Sequence, residues 1–353
     1  MRKTILPVNE NPPIIGYLHH AYPLSILSVT EAYVPWFYSN FVQLISPKDI
    51  ATNRNSQFDF YNKYFFFGYP QGIQPLKNQM IKRGLLSKNY TGGVKQFIID
   101  CIDLGRYIYT WADEYDISSK ISYQKNHVFH DVFIYGYDLE NNCFYTLGFG
   151  TDMQFSSHLI PFEQLHSLED TLDYWDIKIF VIERNDQFDD SSVDLSLLNI
   201  WLNDYLRSFD SSLRYKPLIY SYGLNSETGD LCYGISVYAS LMEYLESVKR
   251  GQSSLDIRPF HILWEHKRIM VERIKYMIDN AYIEDDGLLE KAKQLEKVVL
   301  SIRNLLLKHF IMKNDIPEQY IKEKLLTARG MDIDLIETFI YILSGKLNPS
   351  NEN

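Results

Sequence analysis

Cysteine is scarce in this chain of 353 residues, which contains only Cys101, Cys143 and Cys232. Their number is odd and no CxxC pair occurs, so neither a disulfide framework nor a zinc–thiolate site is expected. The pattern favours a reducing compartment and a structural role for each thiol. Because phosphate-binding and dinucleotide-binding glycine motifs are also missing, we predict no metal and no cofactor.

Positive charge is in deficit as well. Lysine and arginine number 35 against 45 acidic residues, which gives a formal net charge of −10. The lack of a basic surface argues against nucleic acid as a partner. No stretch approaches the roughly 18 apolar residues that a membrane helix needs, and residues 1–13 lack an apolar core of signal-peptide length. We expect a soluble, cytoplasmic protein with no membrane partner.

Aromatic residues, in contrast, are abundant: the chain has 27 Tyr, 20 Phe and 5 Trp, with a cluster at residues 58–69. Tyrosine buries a large ring and brings a hydroxyl that needs a partner. The composition therefore predicts a Tyr-rich core, and an aromatic wall for a ligand is the alternative. The length allows one large or two medium domains.

The order of the segments predicts an α+β fold. Residues 72–104 have a helical pattern, and Gly105 stands where a helix C-cap is expected. Strands are predicted at residues 107–111, 127–137, 143–147 and 178–183. Helices are predicted at residues 193–209, 259–279, 288–313, 317–328 and 332–343. We expect a first domain at residues 1–220 with an antiparallel sheet, an α-helical domain at 221–347, and a disordered tail at 348–353.

Two motifs lie close together between residues 100 and 140. Residues 102–115 read IDLGRYIYTWADEY, and residues 127–138 read HVFHDVFIYGYD. A histidine that opens a strand ending in Gly-Tyr-Asp, before a hairpin, resembles the papain-like domain of the butirosin biosynthesis protein H family. The resemblance covers residues 15–245. It implies a papain-like N-terminal domain and assigns the catalytic histidine to His130.

The resemblance also implies roles for the neighbours of His130. A general base must be held rigidly, and histidine is the side chain that ionises near neutral pH. We predict His130 as this base, with a substrate-binding role for His20, Asp113, Tyr115 and His127. The alternative is that His127 and His130 merely begin a strand rich in aromatic residues.

The chain departs from the family at the nucleophile. The family's His-Cys pair becomes His20-Ala21 here, so the thiol is missing. Ser25 follows one helical turn later and is a possible substitute, which would need an adjacent base. The third catalytic member is assigned to Asp152, which stands late in the sequence, whereas Asn142 stands early.

Two functions of different kinds follow from these observations. The first is acyl or peptidyl transfer in natural-product biosynthesis, from a carrier-protein or pantetheine thioester to a small-molecule amine, a peptide or water, with His130 as base. The second is a catalytically degenerate papain-like module that binds a carrier protein, a peptide intermediate or a synthetase partner. A serine hydrolase using Ser25 is a third possibility.

The predicted helix 259–279 carries a group of cations, Lys267, Arg268, Arg273 and Lys275. They predict a basic face that could dock an acidic carrier protein, and a solvated helix surface is the alternative. On the same helix, His261 and Glu265 are spaced as a possible metal pair, but a salt-bridged helix explains them better because no third ligand is evident.

Overall fold

The computed structural model describes residues 2–51, 58–61, 74–168, 178–188, 191–214 and 231–347. Three predictions lie wholly or mostly outside these residues: the aromatic cluster at 58–69, the boundary between the predicted domains at 220/221 and the tail at 348–353. The strands are β1 (Lys3–Ile5), β2 (Leu44–Pro47), β3 (Asp59–Phe60), β4 (Leu76–Lys82), β5 (Tyr107–Asp113), β6 (Phe129–Asp138), β7 (Cys143–Phe149), β8 (Phe155–Pro161), β9 (Lys178–Arg184) and β10 (Leu231–Tyr233). The helices are α1 (Leu18–Leu27), α2 (Val34–Asn40), α3 (Arg83–Asn89), α4 (Gly93–Asp103), α5 (Leu195–Leu206), α6 (Val237–Lys249), α7 (Arg258–Asp279), α8 (Leu288–Met312) and α9 (Glu318–Leu347).

The chain forms two compact units, and each unit combines two separate stretches of sequence. Unit 1 consists of residues 1–33 and 64–189, and unit 2 of residues 34–63 and 190–353. The predicted mixture of helices and an antiparallel sheet, with a helical C-terminal region, is confirmed. The units divide the chain differently from the predicted domains 1–220 and 221–347, because residues 34–63 and 190–220 both belong to unit 2.

Unit 1 is built on an antiparallel sheet of strand order β4-β9-β5-β6-β7-β8, with β1 paired to β6. The four predicted strands all occur. The helical prediction for residues 72–104 is wrong at β4, which pairs with β9 along its whole length. Cross-strand pairing at the sheet edge outweighs the weak helical pattern of this segment.

The two faces of this sheet bury different side chains. On one face, Val132 and Ile134 of β6 join a hydrophobic core with the apolar side of α4. On the other face, Tyr22 of α1 stacks on Phe133, with ring centroids 5.1 Å apart, and Tyr107 stacks on the same ring at 5.8 Å. The alternation of β6 therefore separates an aliphatic face from an aromatic one, and the predicted Tyr-rich core is present in unit 1.

Unit 2 combines a small sheet of order β10-β2-β3 with α2 and α5 to α9. The prediction of two separate helices at residues 317–328 and 332–343 is wrong, because α9 continues through Gly330 without interruption. Glycine inside a helix costs about 1 kcal/mol relative to alanine. Burial of Leu325, Ala328 and Leu335 on one side of α9 offsets this cost.

A charged network lies in the interior of unit 2. The Lys267 ammonium, with 1% of the side chain exposed, donates to Asp332 Oδ2 at 2.5 Å, to Tyr205 Oη at 2.8 Å and to His266 Nδ1 at 3.0 Å. Burial lowers the pKa of Lys267, and the Asp332 charge opposes that effect. Tyr238 also donates to Asp332 Oδ2. The network thus ties α5, α6, α7 and α9 together.

The predicted basic face of α7 is wrong for two of its four cations. Lys267 and Arg273 are buried, and the Arg273 guanidinium donates to the carbonyls of Tyr38 at 2.8 Å and Phe41 at 2.6 Å. The sequence of a single helix does not show whether a cation on it contacts buried carbonyl groups or water. In the same helix, His261 Nε2 lies 3.3 Å from Glu265 Oε1, and Arg303 donates to His261 Nδ1. Both imidazole nitrogens are thus engaged within the protein, although Glu265 is buried, so the pair does not lie on the salt-bridged helix surface that the sequence predicts.

We predict that Lys267→Met destabilises the protein by about 3–5 kcal/mol, because it leaves the buried Asp332 carboxylate without its cation. Equilibrium urea unfolding measures the change. Lys275→Met is the matched control on the same helix, since the Lys275 side chain is 66% exposed, and it should change stability by less than about 0.5 kcal/mol. Equal effects of the two substitutions would contradict the prediction.

Candidate functional site

The pairing of β5 with β6 determines which polar side chains meet at one end of the unit 1 sheet. Asp113 pairs with Phe129, Ala112 with His130 and Trp111 with Asp131. Beyond the last pair, the Glu114 amide donates to the Val128 carbonyl at 2.8 Å. Two carboxylates of the β5 end therefore stand beside two histidines of the β6 start.

The first histidine–carboxylate pair is His127 with Asp113. Nδ1 of His127 lies 2.6 Å from Asp113 Oδ2, and the imidazole stacks on Tyr115 with centroids 4.2 Å apart. Asp113 Oδ1 accepts from the amides of Tyr115 and Val128. Burial alone would raise the pKa of Asp113, but the hydrogen bonds from His127 and the two amides lower it overall.

This geometry defines the state of the His127 ring. An ionised carboxylate only accepts, so the hydrogen bond assigns a proton to Nδ1, and in the tautomer that acts as a base Nε2 holds the lone pair. The His127 side chain is 69% exposed. The Asp113 carboxylate orients the imidazole so that Nε2 is directed away from it. The acidic residue of a catalytic triad orients its histidine in the same way.

The second pair is His130 with Glu114. His130 Nδ1 lies 3.6 Å from Glu114 Oε1, and the His130 side chain is 49% exposed. Ser122 donates to Glu114 Oε2 at 3.2 Å, which holds the carboxylate. The distance makes this pair looser than the first. Strand alternation places His130 on the face of Val132 and Ile134, opposite to the face that packs on α1.

Asp131, which the sequence prediction missed, occupies the face that packs on α1. Burial raises the pKa of its carboxyl group, while the charge of His130, a hydrogen bond with Tyr109 and the charge of His19 act to lower it. Its backbone carbonyl accepts from the Tyr22 hydroxyl at 3.3 Å. A perturbed carboxyl group next to two histidines is typical of a functional site.

The predicted residues of α1 lie in the interior of unit 1. His20 and Ala21 are buried, and the rings of His19 and His20 are 4.2 Å apart. Ser25 is 0% exposed, and its Oγ forms no hydrogen bond with any residue that the structure describes. The structure therefore brings no hydroxyl nucleophile from α1 into contact with His127 or His130.

The predicted third member, Asp152, stabilises the turn between β7 and β8. Its Oδ1 accepts from the Gln154 amide at 3.0 Å, and both residues are exposed. Asn142, the early alternative, lies in the β6–β7 turn with a φ of 50°. Asp113 and Glu114 supply the contacts to the histidines instead. Both stand inside the Asp-Glu-Tyr motif that the sequence singled out, so their position at a strand end was the available signal.

Comparison with known proteins identifies no function for this site, so a functional assignment depends on the geometry described above. No protein-family model matches the chain, and no curated protein matches it. Across the described residues, no helix has the combination of length and apolarity required to cross a membrane.

We predict that the stabilising effect of Asp113 depends on pH. Because its pKa is lower in the folded state, the carboxylate contributes stability that is complete above the unfolded-state pKa, about 3.9, and is lost as pH falls through the folded-state pKa. Asp113→Asn should therefore cost about 1–3 kcal/mol at pH 7 and less at pH 3, as urea unfolding at each pH can measure.

The control for this measurement is Glu140→Gln, which removes one exposed carboxylate from the same unit. Its effect should stay within about 0.5 kcal/mol at both pH values. A cost of Asp113→Asn that is constant with pH, or that grows on acidification, would show that the carboxylate is not held in its charged form.

Proposed function

We propose that unit 1 is a papain-like domain that transfers an acyl or peptidyl group from a pantetheine thioester, presented by a carrier protein, to an amine or to water. A histidine of the β5–β6 hairpin acts as general base. The observation that carries this proposal is the exposed His127 imidazole, held 2.6 Å from the ionised Asp113 carboxylate. The α1 helix packed on an antiparallel sheet, and the histidines at a strand start, support the papain-like assignment.

The proposed reaction needs no residue that forms a covalent bond to the substrate. The amine nitrogen or water oxygen attacks the thioester carbonyl carbon, and its proton passes to Nε2 of the histidine. The carbon–sulfur bond then breaks, and the pantetheine sulfur takes the proton from the imidazolium. The products are an amide or a carboxylic acid and a free thiol. General-base catalysis and positioning together supply the acceleration, since the thioester is already activated.

The two histidines are distinguishable candidates for the base. The family resemblance assigns the role to His130, whereas the shorter carboxylate contact and the stacked Tyr115 favour His127. We take His127 as the base and His130 as a neighbour that interacts with the same substrate region. Catalytic hydrogen bonds are often long in the absence of substrate, so the 3.6 Å contact of His130 leaves it a candidate.

We expect His127→Ala to lower the turnover of acyl-pantetheine thioesters by about 10²–10⁴-fold and His130→Ala to lower it less. Thiol release and intact-mass analysis of the products measure the rate, with a panel of amines as acceptors. Ser25→Ala is the control for a covalent path and should retain wild-type turnover with no acylated protein. A larger loss in His130→Ala would return the role to His130, and an adduct lost in Ser25→Ala would overturn the direct mechanism.

The second candidate function is a binding module without catalysis. Ala21 in place of cysteine and the buried Ser25 favour it, because no described nucleophile meets the histidines. In that case wild type would bind an acylated carrier protein without turnover, and His127→Ala would bind it equally well. Titration calorimetry on the same two proteins separates the two functions.

A further inference from the structure

A buried lysine lies next to the candidate site. Lys120 belongs to the segment between β5 and β6, and 7% of it is exposed. Its Nζ donates to the Phe149 carbonyl at 2.9 Å. Among the described residues this is its single hydrogen-bond partner, and no carboxylate forms an ion pair with it. An ammonium has three donors, so two of them have no acceptor from the described protein.

The carboxylates of the candidate site influence this ammonium without contacting it. Burial lowers the pKa of Lys120, while the charges of Glu114 and Asp131 act to raise it. Glu114 is the residue that approaches His130. Ser122, two residues after Lys120, donates to Glu114 Oε2, and the Tyr22 hydroxyl group donates to the Asp131 carbonyl, so the surroundings of Lys120 are connected to the candidate site by hydrogen bonds. The network around Lys267 in unit 2 shows the contrast, because there all three donors of a buried ammonium have acceptors.

The Lys120 ammonium and the Tyr22 hydroxyl group both approach the backbone at Gly148. A Cβ at Gly148 would stand 3.1 Å from Lys120 Nζ and 3.4 Å from the Tyr22 hydroxyl oxygen, which is too close for an unstrained contact with the ammonium. The lack of a side chain at Gly148 therefore lets these two polar atoms converge on the same position. A buried charge with unfilled donors is costly unless an oxygen from elsewhere completes its shell.

We infer that Lys120, Tyr22 and Gly148 form a subsite for a negatively charged acyl oxygen, which Lys120 binds through its unused N–H donors. This inference rests on the proposed function. During thioester transfer, the oxygen that acquires charge is the former carbonyl oxygen, and a buried preorganised donor stabilises that charge more than water does. The subsite would equally hold the carboxylate oxygen of an acyl product.

The test compares Lys120→Met with Lys125→Met, a matched control in the same segment whose side chain is exposed. Lys120→Met should lower kcat for thioester transfer by about 10²–10³-fold, and Lys125→Met should leave it unchanged. Ethylamine and glycine as acceptors distinguish a site for the acyl oxygen from a site for the carboxylate of the acceptor, because only glycine carries a carboxylate. An acyl-oxygen site lowers kcat for both acceptors, whereas a site for the acceptor carboxylate raises KM for glycine alone, and that result would overturn the inference.

A second readout does not depend on turnover. Sodium butyrate should raise the unfolding temperature of wild type and of Lys125→Met, but not that of Lys120→Met, with butyramide at equal ionic strength as the neutral control. Tyr22→Phe, which keeps the buried ring, should weaken the butyrate effect about tenfold in apparent affinity and serves if Lys120→Met fails to fold.

The outcomes distinguish this inference from the proposed function. Butyrate stabilisation that requires Lys120, in a protein that turns over no thioester, would support the subsite and overturn acyl transfer. Turnover that is indifferent to Lys120, with equal butyrate stabilisation of wild type and Lys120→Met, would overturn the subsite and leave acyl transfer standing.

Discussion

The antiparallel pairing of β5 with β6 determines which carboxylates meet which histidines at the candidate site. A shift of one residue would exchange the faces on which His130 and Asp131 lie and would move Asp113 away from His127. The register is held by burial on both faces, with an aliphatic core on one side and stacked aromatic rings on the other. The site is thus a consequence of core packing.

Burial of a charged group is costly, and the two units compensate a buried lysine to different extents. In unit 2, Lys267 exchanges water for a carboxylate, a phenol and an imidazole, so its desolvation is compensated within the protein. In unit 1, Lys120 retains one described protein acceptor, and its nearest carboxylates act from a distance. A fully compensated ion stabilises an assembly of helices. A partly compensated ion remains able to bind something else.

Local sequence patterns predicted much of this structure, and failures arose where contacts distant in sequence decide. The β6–β7 hairpin and the helices α7 and α8 follow from turn residues and periodicity. The strand β4 forms only because β9 pairs with it, and α9 passes Gly330 because its apolar side is buried. At the site, the sequence motifs that contain Asp113 and His130 could be recognised. The pairing of each histidine with its carboxylate could not be predicted. Which carboxylate meets which histidine depends on register, and the burial of Ser25 depends on how α1 packs.

Ala21, which stands where the resembled family has a cysteine, restricts the chemistry of the proposed reaction. Without a residue that attacks the substrate, an unactivated amide would need a far stronger nucleophile than water assisted by one imidazole. A thioester differs, because its carbonyl carbon is more electrophilic and its thiolate leaves readily. A base at fixed orientation, such as His127 on Asp113, then removes the one proton that limits attack by an amine. For the proposed reaction, Ala21 at the position of the resembled family's cysteine is therefore compatible with a histidine base held by a carboxylate, provided that the substrate arrives already activated.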